Sequence, residues 1–454
     1  MERAQTIKDI IVLLLVASFV LLWNLGTGSL TSWDEAVYAQ VAREILISNN
    51  WVDLTYMGGA WSDKPPLCMW MTAIFYKLFG VSEFSARFFS SLCGIGTIVV
   101  TYAFAKKLYS RKTALVAALM LLSTQHFIWS AKVSMLDSAL TFFTISSFFC
   151  LKKAEDKKIY LFFSVLAFAC AFLTKGVAAL VIPFVGLLYL FSTKRTSVLK
   201  EPIFVIGSLV CLGVVVWWHW VAFSHYGKNF VSGYFTTHFF NRTTTALDGH
   251  TGGIFTYFKV LPNKGRPWGV FELIALVAAV WQVFKNREKK HIFPLLWAIS
   301  VFMIASIVRT KLHWYIIPIY PALAILLGWG LCALFKRNAV PVAILLAASG
   351  LFYLSSLKGI LNLDYTPETK KIAYITRQKL PRGEKVFLYG ISDPAAWFYF
   401  SLIGNSISTE AELRNLLKQK DRYIVFEKNT FNSFPKSGFV VLAENLNLIV
   451  VKTE

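Results

Sequence analysis

The chain has 454 residues, of which 56% are hydrophobic and only 16% are charged. In soluble domains about a quarter of the residues are charged. The apolar residues here also form runs of roughly 17–25 residues, the length that crosses a bilayer. A soluble multi-domain protein is therefore excluded, and we predict a polytopic α-helical membrane protein.

The formal net charge of +21 has a topological origin. Basic residues form short clusters between the apolar runs, around residues 106–112, 152–158, 194–200, 285–290 and 336–337. Such clusters are typical of cytoplasmic loops under the positive-inside rule. The charge therefore indicates membrane orientation, and no nucleic-acid partner is expected.

The first apolar run, Ile10–Leu25, follows two basic residues and lacks a small-residue cleavage site, so we predict an uncleaved signal anchor. It leads from the cytoplasm into a long extracytoplasmic loop, residues 30–83. Within that loop, a helix is expected to begin at Asp34. The apolar stretch Leu67–Gly80 is too short to span and is predicted as an interfacial helix.

The remaining apolar runs predict about eleven crossings in total, within a range of about 11–13, over residues 1–357. The later spans are expected near residues 84–105, 113–130, 135–151, 159–173, 176–192, 202–223, 269–284, 291–308, 314–335 and 338–357.

Residues 358–454 are more polar and contain shorter apolar runs. Strands are predicted at Lys385–Tyr389, Tyr423–Phe426 and Phe439–Leu442, with a helix at Glu410–Gln419. The expected structure is a small extracytoplasmic α/β domain.

Acidic residues are scarce before residue 358: there are fifteen, and six of them lie between residues 34 and 83. Acidic groups near a bilayer are costly and usually functional, although a solvated loop would also hold them. Asp34 and Glu35 open a predicted helix, where one carboxylate caps the helix N-terminus and the other is free to face a cavity. We expect Glu44, Asp53 and Glu83 to be solvated.

Other polar residues gather at the same membrane face. Lys64 precedes a proline pair, where it is placed either to bind a phosphate or to snorkel. Asp137 lies at the outer end of a span. Further cations and histidines that could bind an anion there are Lys175, His238, Arg242, His250, Arg309, Lys311 and His313.

The sequence contains neither a Walker A motif nor a GxGxxG motif after a predicted strand. Chemistry at the extracytoplasmic face therefore calls for a donor other than a nucleotide, and a lipid-linked phosphate meets that need. The histidines also lack the HExxH spacing of a dedicated metal site.

The segments WDEAVYAQVAREIL, SDKPPLCMWMTAIFYKLFG, LTKG and KLHWYIIPIYPALAILLG, with Asp137 between them, resemble glycosyltransferase family 39 over roughly residues 5–335. That family includes protein O-mannosyltransferases and the bacterial aminoarabinose transferases that modify lipid A. The aminoarabinose branch is the more similar one, because the C-terminal region is small and no large luminal insertion is present.

The resemblance implies a GT-C fold in the inner membrane and inverting transfer from a polyprenyl-phosphate sugar to a periplasmic acceptor, lipid A or a protein. Asp34 and Asp137 are the implied catalytic residues. Lys64, Arg242 and Lys311 would bind the donor phosphate. The supporting candidates are Glu35, Asp63, His238, His313 and Tyr315.

Two points stay open at this stage. Family members commonly carry glutamate where this chain has Asp63, so a divalent metal with Asp63 as a ligand is an open question. The alternative functions are a protein O-mannosyltransferase-like enzyme and, in another class, a flippase or transporter of lipid-linked sugars, which would also bind a lipid phosphate among cations.

Overall fold

The computed structural model describes residues 2–246, 249–335, 363–381, 384–401, 404–407, 409–434 and 437–454. The first half contains α1 (Glu2–Leu22), α2 (Asp34–Ser48), β1 (Thr55–Tyr56), β2 (Gly59–Ala60), α3 (Leu67–Phe79), α4 (Glu83–Leu108), α5 (Arg111–Ser123), α6 (Gln125–Lys132), α7 (Leu136–Lys153), α8 (Tyr160–Lys175) and α9 (Val181–Ser192). The next helices are α10 (Pro202–Tyr226), α11 (Lys228–Phe230), α12 (Arg242–Thr244), α13 (Thr256–Lys264), α14 (Gly269–Asn286), α15 (Ile292–Ile307) and α16 (Tyr320–Phe335).

Four short 3₁₀ helices and one π-helix complete this part: Gly176–Leu180, Thr196–Lys200, Lys289–His291, His313–Ile319 and, as the π-helix, Val231–Asn241. The C-terminal region contains α17 (Pro367–Lys379), β3 (Val386–Tyr389), α18 (Pro394–Ser401), β4 (Gly404–Ser406), α19 (Glu410–Leu417), β5 (Tyr423–Glu427), α20 (Lys428–Phe431), β6 (Phe439–Glu444) and β7 (Leu448–Thr453).

The protein is a multi-pass membrane protein. Among the described residues, seven helical segments are long and apolar enough to cross a bilayer, or eight if α5 and α6, bent by 66° at their junction, form one span. The sequence predicted about eleven spans, so the count differs. One predicted span, residues 338–357, lies outside the described residues, and another corresponds to α7, which is helical but not among the seven.

The 33-residue segment Tyr160–Ser192 is one of the seven, yet its contacts show that the chain turns back within it. At the start of α7, Asp137 is bonded to Lys175 at the end of α8, with 2.6 Å between Oδ1 and Nζ. At the end of α7, Lys152 Nζ lies 3.0 Å from the hydroxyl of Tyr189 in α9. Helices α8 and α9 therefore run in opposite directions, as the two separate predicted spans require. Gly176, with φ of 57°, lies at the turn.

Small residues allow the buried helices to approach closely. A Cβ added at Gly94 of α4 would lie 2.5 Å from the Cβ of Ala131, and one at Gly328 of α16 would lie 3.0 Å from the backbone of α5. Close packing at small residues drives helix association in membranes, where burial from water offers little gain. The outward faces of α10 and α14 carry large exposed apolar side chains instead, such as Leu209 and Val277.

The long loop between α1 and α4 folds into α2, a short β1–β2 hairpin and α3. Helix α2 begins at Asp34 and α3 spans Leu67–Phe79, so both predicted helices are confirmed. Buried residues of α2 and α3 share one hydrophobic cluster with residues of α18, β3 and β5. The loop is therefore packed against the C-terminal region.

The C-terminal strands form one mixed sheet in the order β4-β3-β5-β7-β6. Strand β3 is parallel to β4 and β5, whereas β7 is antiparallel to both β5 and β6. The three predicted strands and the helix after Thr409 are confirmed as β3, β5, β6 and α19. The prediction missed β7, although its run LIVVKT has the β-branched composition of a strand.

Candidate active site

Glu35 and Arg87 form a fully buried ion pair beneath the first loop. Arg87 Nε lies 2.8 Å from Glu35 Oε1, and both side chains are 0% exposed. The Glu35 carboxylate also accepts the backbone N–H groups of Thr31 and Ser134, at 2.8 and 2.9 Å. Glu35 was predicted as a helix cap and a supporting site residue. The structure contradicts the capping role, because the Glu35 carboxylate bonds Thr31, Arg87 and Ser134, all outside α2. Its role as a supporting site residue stays a prediction.

Arg87 also binds four backbone carbonyl groups through its remaining donors. Its guanidinium donates to the carbonyl groups of Leu25, Gly28, Ser29 and Leu363, at 2.8–3.3 Å. The pair therefore ties the exit of α1, the start of α2 and the region before α17 to α4. A buried charge pair with all its polar atoms satisfied is the kind that holds a fold in one arrangement.

Asp34 immediately precedes this anchored residue and is left available. Trp33 before it adopts φ of 81°, a backbone conformation that non-glycine residues rarely adopt. Within the described part of the chain, the Asp34 carboxylate has no hydrogen-bond or ion-pair partner. Its charge acts on Tyr38, Lys64, Asp137 and Arg242.

Tyr38, one helical turn after Asp34, lies near three carboxylates, those of Asp34, Asp63 and Asp137. Burial raises the pKa of Tyr38 well above its usual value, and the negative charges of Asp34, Asp137 and Asp63 raise it further. Residues that are far apart in the sequence therefore converge on one site at the start of α2.

Lys64 brings a cation to this cluster. Its Nζ donates to the carbonyl group of Asp63 at 3.0 Å. Burial lowers the pKa of Lys64 to about 8, an effect that Asp63 and Asp34 oppose and that Arg242 and Lys175 reinforce. The Lys64 ammonium group is therefore partly desolvated and lies near carboxylates. A phosphate bound beside it would stabilise its charged form.

Asp137 is 2% exposed and forms an ion pair with Lys175, with 2.6 Å between Oδ1 and Nζ. The Lys175 ammonium group also lies 5.3 Å from the centre of the Tyr315 ring. Lys175 was noted among the outer cations but was not included among the predicted site residues. The LTKG motif was the available signal, because a lysine at the end of an apolar helix needs a partner.

Arg242 and Tyr315 complete the cluster. Arg242 Nη1 donates to the Tyr315 hydroxyl at 3.4 Å, and Arg242 Nε is buried with no partner among the described residues. The backbone near Arg242 is held by N–H groups of the 309–311 segment, including Thr310 N to Arg242 O at 3.2 Å. The backbone around Arg242 is therefore in direct contact with the 309–311 segment.

Two predicted residues have other bonds. Lys311 Nζ donates to the carbonyl groups of Ala305, Ser306 and Val308 at the end of α15, which it caps. His313 Nδ1 shares a 2.8 Å hydrogen bond with His126 Nε2. The phosphate role of Lys311 stays a prediction, and the proposal below does not use it. His238 lies in the π-helix, and its side chain is outside the described part.

The carboxylates predicted to be solvated are also engaged. Glu44 accepts the backbone N–H groups of Met57 and Gly58, which closes the β1–β2 hairpin onto α2. Asp53 is paired with His225, and Glu83 lies 2.7 Å from Lys370. These three carboxylates are therefore partly buried and bonded within a packed loop, so the prediction of solvated side chains holds only in part.

Among the described residues, no group of three or more His, Cys, Asp or Glu side chains is arranged to hold a metal ion. The described protein groups around Asp63 therefore do not form a metal cage of their own, and the role of Asp63 as a metal ligand stays a prediction.

Residues 63–220 match the family described as dolichyl-phosphate-mannose-protein mannosyltransferase. An undecaprenyl phosphate-alpha-4-amino-4-deoxy-L-arabinose arabinosyl transferase from Pseudomonas fluorescens is 29% identical over 374 residues, which are 80% of this chain and 66% of that protein. An uncharacterized protein from Aquifex aeolicus is 30% identical over 70% of this chain and 63% of its own length. The predicted resemblance to this glycosyltransferase family is confirmed.

The fold matches that of two solved structures. The crystal structure of ArnT from Cupriavidus metallidurans bound to undecaprenyl phosphate has a TM-score of 0.79 at 20% identity, over 99% of this chain and 98% of that one. An archaeal oligosaccharyltransferase from Archaeoglobus fulgidus has a TM-score of 0.61 at 11% identity, over 94% and 70% of the two chains. The chain therefore has the GT-C fold. It spans about two thirds or less of the length of the two relatives matched by sequence.

Proposed function

We propose that this protein is a membrane glycosyltransferase that moves a sugar from a polyprenyl-phosphate donor to an extracytoplasmic acceptor, with inversion. The proposed acceptor is lipid A and the sugar is of the aminoarabinose type. Residues 1–357 would form the catalytic transmembrane domain, and residues 358–454 a small periplasmic α/β domain. The membrane is the inner membrane, with the site on its periplasmic face.

The observation that carries this proposal is the meeting of a carboxylate without a partner and several cations at one membrane exit. Asp34 lies within electrostatic range of Lys64 and Arg242, while Asp137 is already neutralised by Lys175. A purely structural cluster would pair its charges completely. Lys64 and Arg242, which act on this carboxylate, are cations that suit the phosphate of a lipid donor.

Lys64 and Arg242 are the proposed donor-phosphate ligands. Both act on the same carboxylate, and the buried Nε of Arg242 is a hydrogen-bond donor with no partner in the described part. Fixed cations aimed at the leaving phosphate stabilise the charge that develops there, and such electrostatic stabilisation is usually the largest single contribution to catalysis. Tyr315 positions Arg242 through its hydroxyl.

The proposed reaction is a single displacement. An acceptor oxygen attacks the anomeric carbon as the bond to the polyprenyl phosphate breaks, which inverts the configuration. For a hydroxyl acceptor, Asp34 removes the proton as general base. A phosphate acceptor is already ionised, so Asp34 would then orient it or an amino group of the sugar. Asp137, held by Lys175, is the proposed second carboxylate on the acceptor side.

The arabinosyl transferases among the relatives support the aminoarabinose donor, and lipid A is the acceptor that the resemblance to the aminoarabinose branch implies. The protein-mannosyltransferase description of the family that matches residues 63–220 favours a second candidate, a protein acceptor. Neither observation concerns residues that contact the acceptor, so the acceptor must be decided by experiment.

The test uses the purified full chain in detergent with undecaprenyl phosphate-aminoarabinose and either lipid A or a periplasmic protein extract. Mass spectrometry should show lipid A heavier by one aminoarabinose residue, with no change in the extract. Modified protein instead would establish the second candidate. A flippase or transporter would give no product in detergent, where no compartments exist, and that result would overturn the proposal.

Donor affinity is expected to fall as the pH rises through about 8. The lowered pKa of Lys64 means that its ammonium group is charged below about pH 8 and loses its proton above it. Since kcat/KM reports the free enzyme, kcat/KM for the donor should be high below that pH and decline above it.

The control for this prediction is Lys64→Arg, because arginine stays charged across the whole range. Its kcat/KM for the donor should lose the decline near pH 8, even if its absolute value is lower. Steady-state assays from pH 6 to 10 with both forms provide the measurement. An identical decline in the two proteins would assign the titration to another group.

A further inference from the structure

A cavity with several charged and polar side chains lies apart from the proposed transfer site. It has a volume of about 430 Å³, and its walls come from Thr27 after α1, residues 81–83 at and just before the start of α4, and one face of α17. None of Asp34, Lys64, Asp137 or Arg242 lines it. Its size is within the range of small-ligand sites.

The cavity lies at the level of the lipid headgroups. Helix α1 ends at Leu22 and α4 begins at Glu83, and both are candidate membrane spans. Thr27 and Val81 therefore lie just beyond the ends of two adjacent spans on the same face of the membrane. Lipid phosphates occupy this zone outside the hydrocarbon core.

The charged side chains of the cavity lining that lack a partner among the described residues are basic. Its two acidic residues are engaged, Glu83 by Lys370 and Tyr399 and Asp364 by Ser29. Lys371 and Arg377 also line it, and neither forms a hydrogen bond or ion pair with any residue that the structure describes. Because the acidic residues are already bonded, the two cations are available to bind an anion.

The surroundings favour a lipid over a free anion. Tyr374, between the two cations on α17, is 62% exposed and lines the cavity, and tyrosine is enriched at membrane interfaces. Leu78 and Phe79, which precede the Val81 wall by two or three residues, are exposed apolar side chains. They offer a surface for acyl chains beside the headgroup position.

We propose that this cavity binds the phosphate-bearing headgroup of a membrane lipid through Lys371 and Arg377, with Tyr374 at the interface. The site is separate from the proposed transfer site and does not rest on the transferase function. It would hold an anionic lipid against the junction of α1, α4 and α17.

The test is calorimetric titration of the full chain in a mild non-ionic detergent at low ionic strength. The protein carries Lys64→Gln, so that the proposed donor-phosphate site is disabled. Dioctanoyl phosphatidic acid is the probe, with dioctanoyl phosphatidylcholine and inorganic phosphate as comparisons. Phosphatidic acid should bind saturably and more tightly than either comparison.

Adding Lys371→Gln and Arg377→Gln should weaken binding of phosphatidic acid by about 30-fold, from the usual contribution of each basic residue at an anionic membrane surface. The matched control, Lys418→Gln with Lys420→Gln, makes the same charge change on exposed residues at the end of α19 and should leave binding unchanged. The charge-conserving pair Lys371→Arg and Arg377→Lys should retain it.

Equal binding by the double variant and its control would overturn the proposal, as would equal affinity for phosphatidylcholine. If inorganic phosphate bound as tightly as phosphatidic acid, the proposal that the bound phosphate group belongs to a lipid would be overturned. Thermal unfolding of each variant shows whether the fold is retained. If the double variant unfolds, a loss of phosphatidic acid binding by the charge-conserving pair would overturn the assignment.

Discussion

Replacement of Asp34 by asparagine is expected to lower kcat by about 10²–10⁴-fold with a hydroxyl acceptor, the range that a positioned general base contributes. The substitution keeps the size of the side chain and removes its charge from a group with no partner among the described residues. The fold should therefore survive, because its anchor is Glu35 and not Asp34. Single-turnover transfer with saturating donor is the measurement.

The control is Asp53→Asn in the same loop. Asp53 is paired with His225 and Asn50, away from the cluster, so its loss should leave kcat nearly unchanged. Donor binding by Asp34→Asn should also be retained, because Lys64 and Arg242 remain. Full transfer activity in Asp34→Asn would remove this residue from the mechanism. A small loss confined to phosphate acceptors would instead fit the orienting role.

Replacement of Arg87 by methionine is expected to lower the free energy of unfolding by about 3–5 kcal/mol, the usual cost of removing one partner from a buried ion pair. The substitution leaves the fully buried carboxylate of Glu35 without its counter-charge and frees four carbonyl groups from their donor. Denaturant-induced unfolding in detergent, followed by circular dichroism and by binding of the donor, should show the loss.

The double variant Glu35→Gln with Arg87→Met should recover part of this loss, because it removes the unpaired charge while an amide oxygen can still accept one backbone N–H. Arg414→Met is the control, since Arg414 pairs with Glu410 at an exposed helix surface and should have no measurable effect. A loss of activity at unchanged stability in Arg87→Met would contradict the structural role.

These two predictions separate neighbouring residues that look alike in the sequence. Asp34 and Glu35 are adjacent carboxylates at the start of the same helix. Replacing Asp34 is expected to lower the transfer rate with little effect on stability. Replacing Arg87, the partner of Glu35, is expected to lower the stability of the fold. Measuring both quantities for every variant is therefore the most direct test of the assignment.

Much of the architecture was predictable from the sequence alone. Long apolar runs and their basic flanks determine where helices cross a bilayer and which loops remain in the cytoplasm, because desolvation dominates the energetics of insertion. The start of α2 at Asp34, the short helix α3 and strands β3, β5 and β6 followed from local patterns. The motifs also named Asp34, Lys64, Asp137, Arg242 and Tyr315, which the structure brings into one cluster.

The tertiary structure alone decided which of these charged side chains are engaged in ion pairs or hydrogen bonds. Glu35 pairs with Arg87, Asp137 pairs with Lys175, and Lys311 caps α15. The two ion pairs join residues that are 52 and 38 positions apart in the sequence, and no local pattern encodes such contacts. The sequence determined that acids and bases gather at one membrane face. Only the packing of helices decided that Asp34 is left available there, because a charge becomes free or engaged through its neighbours in space.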